Sequence, residues 1–476
     1  MRHIKKIAYF SLILSTCTVT TAYSGSTLFT ITPSISNLNI SSNGNSSVVY
    51  TITNNSTANA TPSITAAYQS TGNNLTIASN NCNTSLSPYS SCSFRVLISG
   101  ANQPKKFTIT PRVCGFNGFI CSIPSTAVTV TVTKPAAGLP TRAYEEVANH
   151  PSVTRLIGIN INNTSDVISS HFLDSSSNVN SVVTSPDGSK LYATIINEVA
   201  ESIAYYNVTS DNLILNQIFI ISESFLSDSS TDSMQTAITP DGSTLFITRY
   251  SNGEVAPGAS FYKMDLNADA PTITAIDDPD NILASPRGLV VSSDSQTVYI
   301  GTDTDYIVAM PVNALSVHAD NKIAEGNIPV DDHLSLAIDP AGNTLYVGNY
   351  SEGSVSILSV TGTQGQFEET ILTDGSFTGA SGLAVSPDGA TLYVAEIDDN
   401  SVLSVPLNNT GSVLVQSEIT GAFGLALSPN GSLLYVTQAS GFSYTTTVIN
   451  TANFFASPST IDIDGVSLTI GQFIGP

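Results

Sequence analysis

Residues Leu383–Val394, with the sequence LAVSPDGATLYV, contain two apolar runs joined by a Ser-Pro-Asp-Gly turn. Within this turn, Pro387 presets φ, the side chain of Asp388 can cap the turn, and Gly389 tolerates a positive φ. Apolar runs on both sides of such a turn are typical of a hairpin. The stretch therefore predicts two neighbouring antiparallel strands.

The same pattern occurs six times after residue 180, at intervals of 42 to 54 residues. Its turns begin at Ser185, Thr239, Ser292, Asp339, Ser386 and Ser428. In the clearest copy, the apolar runs 401–405 and 413–415 follow as further strands. Each repeat thus predicts a small antiparallel meander, and one such sheet cannot bury both of its faces alone. A period of this size is typical of solenoids and propellers, and we expect blades stacked around an axis.

Two of the copies resemble a known family. The segments Leu345–Asn349 (LYVGN) and Leu392–Glu396 (LYVAE) each follow a Pro-x-Gly turn and precede a Ser-Val strand. In this they are similar to the YVTN-type β-propeller repeats of bacterial secreted and surface proteins. The resemblance covers about residues 141 to 476 and implies a propeller fold. It does not imply one particular activity, because this repeat occurs in proteins of unrelated function.

The length of the repeat region predicts seven blades, although only six turn signatures are present. We expect the seventh blade to be split between the two ends of the region. Segments 142–150, 155–159 and 167–172 predict three of its strands, and Gly465–Ile470 is expected to supply the fourth. This pairing would close the ring and remove its exposed edges.

Residues 25–135 differ from the repeats in composition, being rich in Ser, Thr and Asn. Apolar and polar residues alternate in four stretches, which indicates half-buried strands: Val48–Thr53, Ser93–Ile98, Phe107–Thr110 and Val128–Thr133. About 110 residues of short strands favour an immunoglobulin-like β-sandwich, joined to the propeller by a linker at 136–140. The predicted fold class is therefore all-β, with an immunoglobulin-like sandwich followed by a seven-bladed propeller at 141–476.

Residues 1–24 predict a secretory signal peptide. Three basic residues precede the apolar run Ile7–Leu14, and Ala22-Tyr23-Ser24 fits a cleavage site. We therefore expect a secreted, periplasmic or surface location. Leu14–Cys17 also resembles a lipobox, through which Cys17 would carry a lipid anchor, but Thr16 is a poor residue before that cysteine.

Four further cysteines are present: Cys82, Cys92, Cys114 and Cys121. An even number in an exported chain suggests two disulfides, for which three connectivities are possible. We favour the two local pairs, Cys82 with Cys92 and Cys114 with Cys121. A metal site is the alternative, but no histidine lies between His3 and His150 to complete one. The segment around Cys82 and Cys92 also resembles the cysteine-bracketed hairpin of bacterial surface immunoglobulin-like domains, and this resemblance implies a spacer or adhesive module.

The formal charge of −22 is distributed unevenly along the chain. Residues 25–135 contain five basic and no acidic residues, whereas all 37 acidic residues follow position 136. Such an acidic propeller repels nucleic acid, so no nucleic-acid partner is expected. The basic residues of the N-terminal region could associate with an anionic cell envelope, or they could form an ordinary solvated surface.

Propellers bind ligands at the mouth of the central channel, where the first strands begin and the second strands end. Basic residues are scarce in the repeat region, and Arg249 and Arg287 fall at such positions in neighbouring blades. Together they could hold a carboxylate or phosphate, or each could pair with a carboxylate of the blades. The further ligand-binding candidates at these positions are Asp232, Asp332, His333, Asn349 and Glu396.

The chain lacks a nucleophile elbow, a phosphate loop, a zinc helix and a dinucleotide fingerprint. We therefore expect an exported binding or surface-interaction protein, monomeric and without a cofactor, whose ligand is a small molecule, a glycan or a protein. The alternative is a lactonase-type hydrolase, which family analogy suggests because some similar propellers hydrolyse lactones. In that case Asp232, Asp332, Asn349 and Glu396 are conceivable metal ligands, and His333 is a conceivable base.

Overall fold

The computed structural model describes residues 28–41, 45–65, 75–100, 103, 105–115, 120–133, 142–149, 153–160, 163–169, 178–196, 200–222, 233–250, 260–268, 271–283, 285–329, 335–372, 377–407, 412–440, 443–461 and 467–469. The expected signal peptide, Cys17 and the linker at 136–140 lie outside these residues. Almost all regular structure is β-strand, together with short 3-10 helices at Ala319–Asn321 and Thr451–Asn453. The predicted all-β fold class is confirmed.

The first ten strands form what we call the N-terminal module. They are β1 (Phe29–Pro33), β2 (Asn37–Ser41), β3 (Asn45–Asn54), β4 (Ser63–Thr65), β5 (Leu75–Asn80), β6 (Ser91–Ser99), β7 (Lys106–Ile109), β8 (Arg112–Gly115), β9 (Ile120–Ser122) and β10 (Val128–Thr133). Their sheets have the orders β1-β3-β6-β5, β2-β10-β7 and β4-β8-β9. The three sheets contribute to one hydrophobic core, and the immunoglobulin-like assignment stays a prediction.

The alternation of β6 shows how this core forms. Phe94, Val96 and Ile98 are buried in it, while Arg95 and Leu97 point to the opposite face. Successive side chains of a strand point to opposite faces of the sheet, so one face is free for other contacts.

Both expected disulfides are present, Cys82–Cys92 and Cys114–Cys121. They confirm the local connectivity, and disulfides are typical of proteins outside the reducing cytosol. None of the helices in the described part of the chain is long and apolar enough to cross a membrane.

Seven four-stranded sheets follow, which we number as blades in chain order. The first blade consists of β11 (Arg142–Asn149), β12 (Val153–Asn160) and β13 (Asn163–Ser169), together with β38 (Ser467–Thr469). The second consists of β14 (Asn178–Thr184), β15 (Lys190–Ile196), β16 (Glu201–Val208) and β17 (Leu213–Ser222). The third consists of β18 (Ser233–Ile238), β19 (Thr244–Tyr250), β20 (Phe261–Asp265) and β21 (Ile273–Ala275).

The fourth to seventh blades have the same antiparallel order. The fourth blade consists of β22 (Leu289–Val291), β23 (Thr297–Gly301), β24 (Ile307–Pro311) and β25 (Lys322–Ile323), and the fifth of β26 (Leu336–Ile338), β27 (Thr344–Asn349), β28 (Ser354–Thr361) and β29 (Gln364–Ile371). The sixth blade consists of β30 (Ala380–Val385), β31 (Thr391–Glu396), β32 (Ser401–Pro406) and β33 (Leu414–Gln416). The seventh consists of β34 (Ala422–Leu427), β35 (Leu433–Ser440), β36 (Ser443–Asn450) and β37 (Ser459–Ile461).

The ring closes through the first blade, as expected from the sequence. Strand β38, near the C-terminus, pairs antiparallel with β11, and Val147 lies opposite Leu468. The first blade therefore combines strands from both ends of the repeat region.

The six signature turns join the first and second strands of blades two to seven. Their fourth residue always has a positive φ, between 61° and 75°. Glycine provides this conformation in five turns, and Ser295 provides it in the fourth blade. The Ser295 hydroxyl accepts a hydrogen bond from the Asp241 amide of the preceding blade, which explains why a side chain is useful at this position.

The Leu-Tyr-Val motif packs neighbouring blades together. In the sixth blade, Leu392 and Val394 share a core with Tyr346 of the fifth blade. Tyr393 points the other way and packs against Leu434 and Val436 of the seventh. The motif is therefore a packing signature, and it fixes which face of each second strand meets which neighbour.

The N-terminal module docks on the edge of the propeller that carries the turns. Arg95 forms an ion pair with Asp339, the first residue of the turn in the fifth blade. The Ser34 hydroxyl donates a hydrogen bond to the backbone carbonyl of Ala341 in the same turn. The backbone amide of Asn45 donates to the backbone carbonyl of Pro429 in the seventh blade. Arg95 thus contacts the propeller, whereas Lys105, Lys106 and Arg112 are exposed.

Candidate functional site

The candidate site lies at the blade ends opposite the turns. Because the first two strands of a blade are antiparallel, the start of the first and the end of the second lie at the same edge. In blades three to seven the third residue after the tyrosine position is polar, and we call these five residues the rim: Arg249, Thr302, Asn349, Glu396 and Gln438. The module contacts described above lie at the other edge, so the rim faces away from them.

Arg249 forms a buried ion pair with a residue of the preceding blade. Its Nε lies 2.5 Å from Oε2 of Glu201, the first residue of β16, and the two side chains are 2% and 1% exposed. Strand alternation explains the pairing, since Arg249 lies on the same face as Ile247, which packs against the second blade. Arg249 is therefore paired with a blade carboxylate, as one of the two sequence-based hypotheses proposed.

Arg287 has different surroundings. Its guanidinium lies over the ring of Tyr250, 3.7 Å from the centroid, and its Nε is 3.5 Å from Oδ1 of Asp303. The side chain is 17% exposed, so solvent reaches part of it. A cation stacked on an aromatic face keeps its charge while its position is fixed. The two arginines thus have separate carboxylate partners, and their joint binding of one ligand stays a prediction.

Asn349, at the end of β27, is fully buried. Its Nδ2 donates to the hydroxyls of Ser354 and Ser356, at 2.9 and 3.0 Å. Its Oδ1 is buried and has no hydrogen-bond partner among the described residues. The amide is thus oriented by two serines of β28 and keeps one acceptor unused.

Glu396, at the end of β31, is also fully buried, and neither of its carboxylate oxygens has a hydrogen-bond partner in the described part of the chain. Burial, followed by the nearby charges of Asp399 and Asp398, raises the pKa of Glu396 to about 9. A carboxyl group with such a pKa is protonated at neutral pH and can donate a hydrogen bond. The Ser401 hydroxyl, opposite Glu396 in the sheet, is likewise buried and unpaired within the described structure.

Several buried polar atoms that lack a partner among the described residues lie toward this edge: Oδ1 of Asn180, Nη2 of Arg249, Oδ1 of Asn349, both oxygens of Glu396, Oγ of Ser401 and Oγ1 of Thr446. Others lie elsewhere, namely the hydroxyls of Tyr50, Tyr206 and Ser293 and Oε1 of Gln416. Each such atom costs about 1–3 kcal/mol unless a water, an ion or a ligand satisfies it. At the opposite, turn-bearing edge, the Ser386 hydroxyl donates to Asp388 and accepts from the Thr391 amide, whereas the buried hydroxyl of Ser293 has no partner among the described residues.

The positions of the other ligand-binding candidates are not described by the structure. Asp232, Asp332 and His333 lie outside the described residues. Within the described residues no three His, Cys, Asp or Glu side chains converge as metal ligands would. The metal-ligand hypothesis therefore stays a prediction.

Sequence reasoning missed several partners of these side chains. Glu201, Tyr250 and Asp303 contact the two arginines, and Ser354 and Ser356 orient Asn349. One signal was available: Tyr250 and Asp303 each directly follow a rim residue.

Comparisons with known proteins agree with the propeller. A family model described as lactonase, 7-bladed beta-propeller matches residues 244–379, a segment from β19 to just before β30 that includes Arg249, Arg287 and Asn349. It covers less than half of the chain. No curated protein matches the sequence.

Solved structures are similar over most of the chain. A putative 6-phosphogluconolactonase from Bacteroides fragilis is 14% identical with a TM-score of 0.51, and the match covers 70% of this chain and 99% of that one. A putative 6-phosphogluconolactonase from Bacteroides uniformis gives 16% identity, a TM-score of 0.47 and coverages of 68% and 98%. A functionally unknown protein from Desulfotomaculum acetoxidans is 14% identical with a TM-score of 0.48, and the match covers 69% of this chain and 99% of that one. The family match and the B. fragilis structure support a lactonase-type β-propeller fold, and at these identities the likeness concerns the fold alone.

Proposed function

We propose that the rim binds a polar small molecule or glycan in a protein that acts outside the cytosol. The observation that carries this proposal is the group of buried polar atoms around Arg249, Asn349 and Glu396 that lack partners among the described residues. Such atoms are costly in a protein interior and recur where a ligand or ordered water completes the hydrogen bonding.

The chemistry of the rim favours a ligand with both oxygen acceptors and hydroxyl donors. Arg249 Nη2 and a protonated Glu396 are donors, whereas Oδ1 of Asn349 is an acceptor. Arg287 is partly exposed and adds a positive charge near this edge. A hydroxy acid or a sugar acid combines the carboxylate and hydroxyl groups that such residues recognise.

The disulfides and the position of the N-terminal module support the proposed role of the rim outside the cytosol. The two disulfides suit an exported chain, and the expected signal peptide would direct it there. Docking at the turn-bearing edge keeps the N-terminal module away from the rim. The exposed residues Lys105, Lys106 and Arg112 provide positive charges that could associate with an anionic envelope, while the propeller binds its ligand as a monomer.

Ligand binding can be tested with the full chain and a panel of sugar acids, hydroxy acids and neutral glycans in a calorimetric titration. We expect binding of at least one acidic member, weakened about tenfold by Arg287→Gln, because a charge-assisted hydrogen bond is lost. Arg112→Gln, which removes an exposed charge from the module, is the matched control. An empty panel, or equal effects of the two substitutions, would contradict the proposal.

Lactone hydrolysis is the second candidate function, and the family match to residues 244–379 favours it. A guanidinium can stabilise the oxyanion of a tetrahedral intermediate, and a neutral carboxyl can donate a proton. A lactone panel assayed with and without a chelator would reveal turnover and any metal requirement. Arg287→Gln is expected to reduce that turnover, whereas turnover by none of the lactones would exclude this candidate and leave the binding proposal intact.

A further inference from the structure

A cleft lies between the N-terminal module and the propeller. It has a volume of about 410 Å³ and is open to solvent. One wall is formed by Asn45, Thr76 and Leu97 of the module, and the other by the turns around Asp388 and Asn430 in the sixth and seventh blades. This volume falls within the range of small-molecule sites, about 300–1,000 Å³.

Docking contacts on either side fix the distance between the two walls. On one side, Arg95 packs against Gly389, where any side chain would overlap its guanidinium, and pairs with Asp339. On the other side, the backbone amide of Asn45 donates a hydrogen bond to the backbone carbonyl of Pro429 at 3.3 Å. The cleft is thus the space enclosed between these contacts, where the turns of the sixth and seventh blades face the module.

The two turn residues present unused polar atoms in this cleft. Oδ1 of Asp388 accepts from the Ser386 hydroxyl and the Ala390 amide, which leaves Oδ2 as an acceptor. Oδ1 of Asn430 accepts from the Ser428 hydroxyl and the Ser432 amide, which leaves Nδ2 as a donor. Both residues are exposed and line the cleft, so a ligand can reach an acceptor and a donor on adjacent turns.

The remaining lining limits the chemistry of the ligand. Among the described residues, no Lys, Arg or His lines the cleft, and Asp388 is the sole carboxylate of the lining. An anionic ligand would therefore meet a carboxylate on a strongly acidic propeller, while the nearby Arg95 is already paired with Asp339. Leu97 and Pro387 add apolar surface, against which the C–H face of a sugar ring can pack while its hydroxyls bond Asp388 and Asn430.

From this arrangement we propose that the cleft binds a neutral saccharide, held between the module and the turns of the sixth and seventh blades. The site lies at the edge opposite the rim and does not depend on the function proposed there. A saccharide bound in this way contacts both parts of the chain and holds them together.

The test uses the full chain and three neutral trisaccharides, maltotriose, cellotriose and chitotriose, with sialyllactose as an anionic comparison. Measured in the Arg287→Gln background, in which the rim binds acidic ligands weakly, we expect at least one neutral trisaccharide to bind and sialyllactose to bind more weakly. Asp388→Asn removes the acceptor and is expected to weaken binding about tenfold. The turn should persist, because Asn430 makes the same turn contacts in the seventh blade.

Three further variants locate the site. Thr76→Arg places a bulky side chain on the exposed module wall and is expected to abolish binding. Asp187→Asn makes the same change in the second-blade turn, away from the cleft, and is expected to leave binding unchanged. Arg287→Gln, at the rim, is likewise expected to have no effect. The proposal is overturned if no neutral trisaccharide binds, if sialyllactose binds the Arg287→Gln protein more tightly than the neutral trisaccharides, if Asp388→Asn and Thr76→Arg leave binding intact, or if Arg287→Gln removes the binding of the neutral trisaccharide.

Discussion

Arg95 and Asp339 join the N-terminal module to the propeller, with Nη2 of the arginine 3.4 Å from Oδ2 of the aspartate. Asp339 occupies the first position of its turn, where the other five copies carry Ser or Thr. Its Oδ1 accepts from the backbone amides of Asn343 and Thr344, as the Ser386 hydroxyl does for Ala390 and Thr391. The substitution thus preserves the turn and adds a second oxygen for Arg95.

Removing Arg95 should destabilise the protein, because Asp339 is almost fully buried and would lose the cation that offsets its desolvation. We expect Arg95→Ala to lower the free energy of unfolding by about 2 kcal/mol in a denaturant titration. Adding Asp339→Ser, the residue found in other turns, should recover most of this loss. Equal stability of the single and double variants would contradict the role assigned to the pair.

The buried carboxyl of Glu396 predicts a dependence of stability on pH. Its pKa is about 9 in the folded protein and lies near 4.5 in an unfolded chain. The folded state therefore holds the proton more tightly, so this stability is fully present below about pH 4.5 and is lost as the pH rises through about 9. Glu396→Gln keeps a neutral side chain of the same shape and should remove this loss.

Melting temperatures at pH 5, 7 and 9 can test this prediction. We expect the parent to lose more stability than Glu396→Gln between pH 5 and 9, with Glu369→Gln, on an exposed strand position, as the matched control. If the parent and Glu396→Gln have parallel profiles, Glu396 is not the titrating group.

The pair between Arg249 and Glu201 predicts a larger effect. Arg249→Met leaves Glu201 buried without its cation, and breaking a buried pair in this way costs about 3–5 kcal/mol. The double variant Arg249→Met/Glu201→Leu removes both charges and should be markedly more stable than the single variant. The second blade has Ile195 at the position equivalent to Arg249, which indicates that an apolar side chain fits there. Urea unfolding of the three proteins measures the coupling, and additive effects would contradict it.

The sequence could predict the ring but not its cross-blade partners, for a physical reason. Turn chemistry and strand alternation are local, so Gly389, Tyr393 and the closing strand around Leu468 are found where the repeat predicts them. The partner of Arg249 instead belongs to another blade and depends on which face of β19 meets β16. Such contacts follow from the stacking of blades, which a single repeat does not specify.

The departures from the repeat were the more informative positions, although their roles differ from those expected. Glu396 and Asn349 are at the predicted edge, yet their full burial could not be read from spacing. Asp339 counted as an ordinary start of its turn, and its partner Arg95 lies in a module without any repeat. Sequence analysis therefore predicted where Arg249, Asn349 and Glu396 lie and left their contacts to the structure.

Strand β38 predicts that the ring depends on its C-terminal end. Its three residues pair with Glu146, Val147 and Ala148 of β11, and without them β11 becomes an open edge. A chain ending at Ile461 should therefore unfold at a lower temperature and be more prone to self-association, whereas a chain ending at Thr469 keeps the strand and is the matched control. Calorimetry and light scattering measure the two effects. Identical melting temperatures for the two truncated chains would show that the pairing contributes no stability.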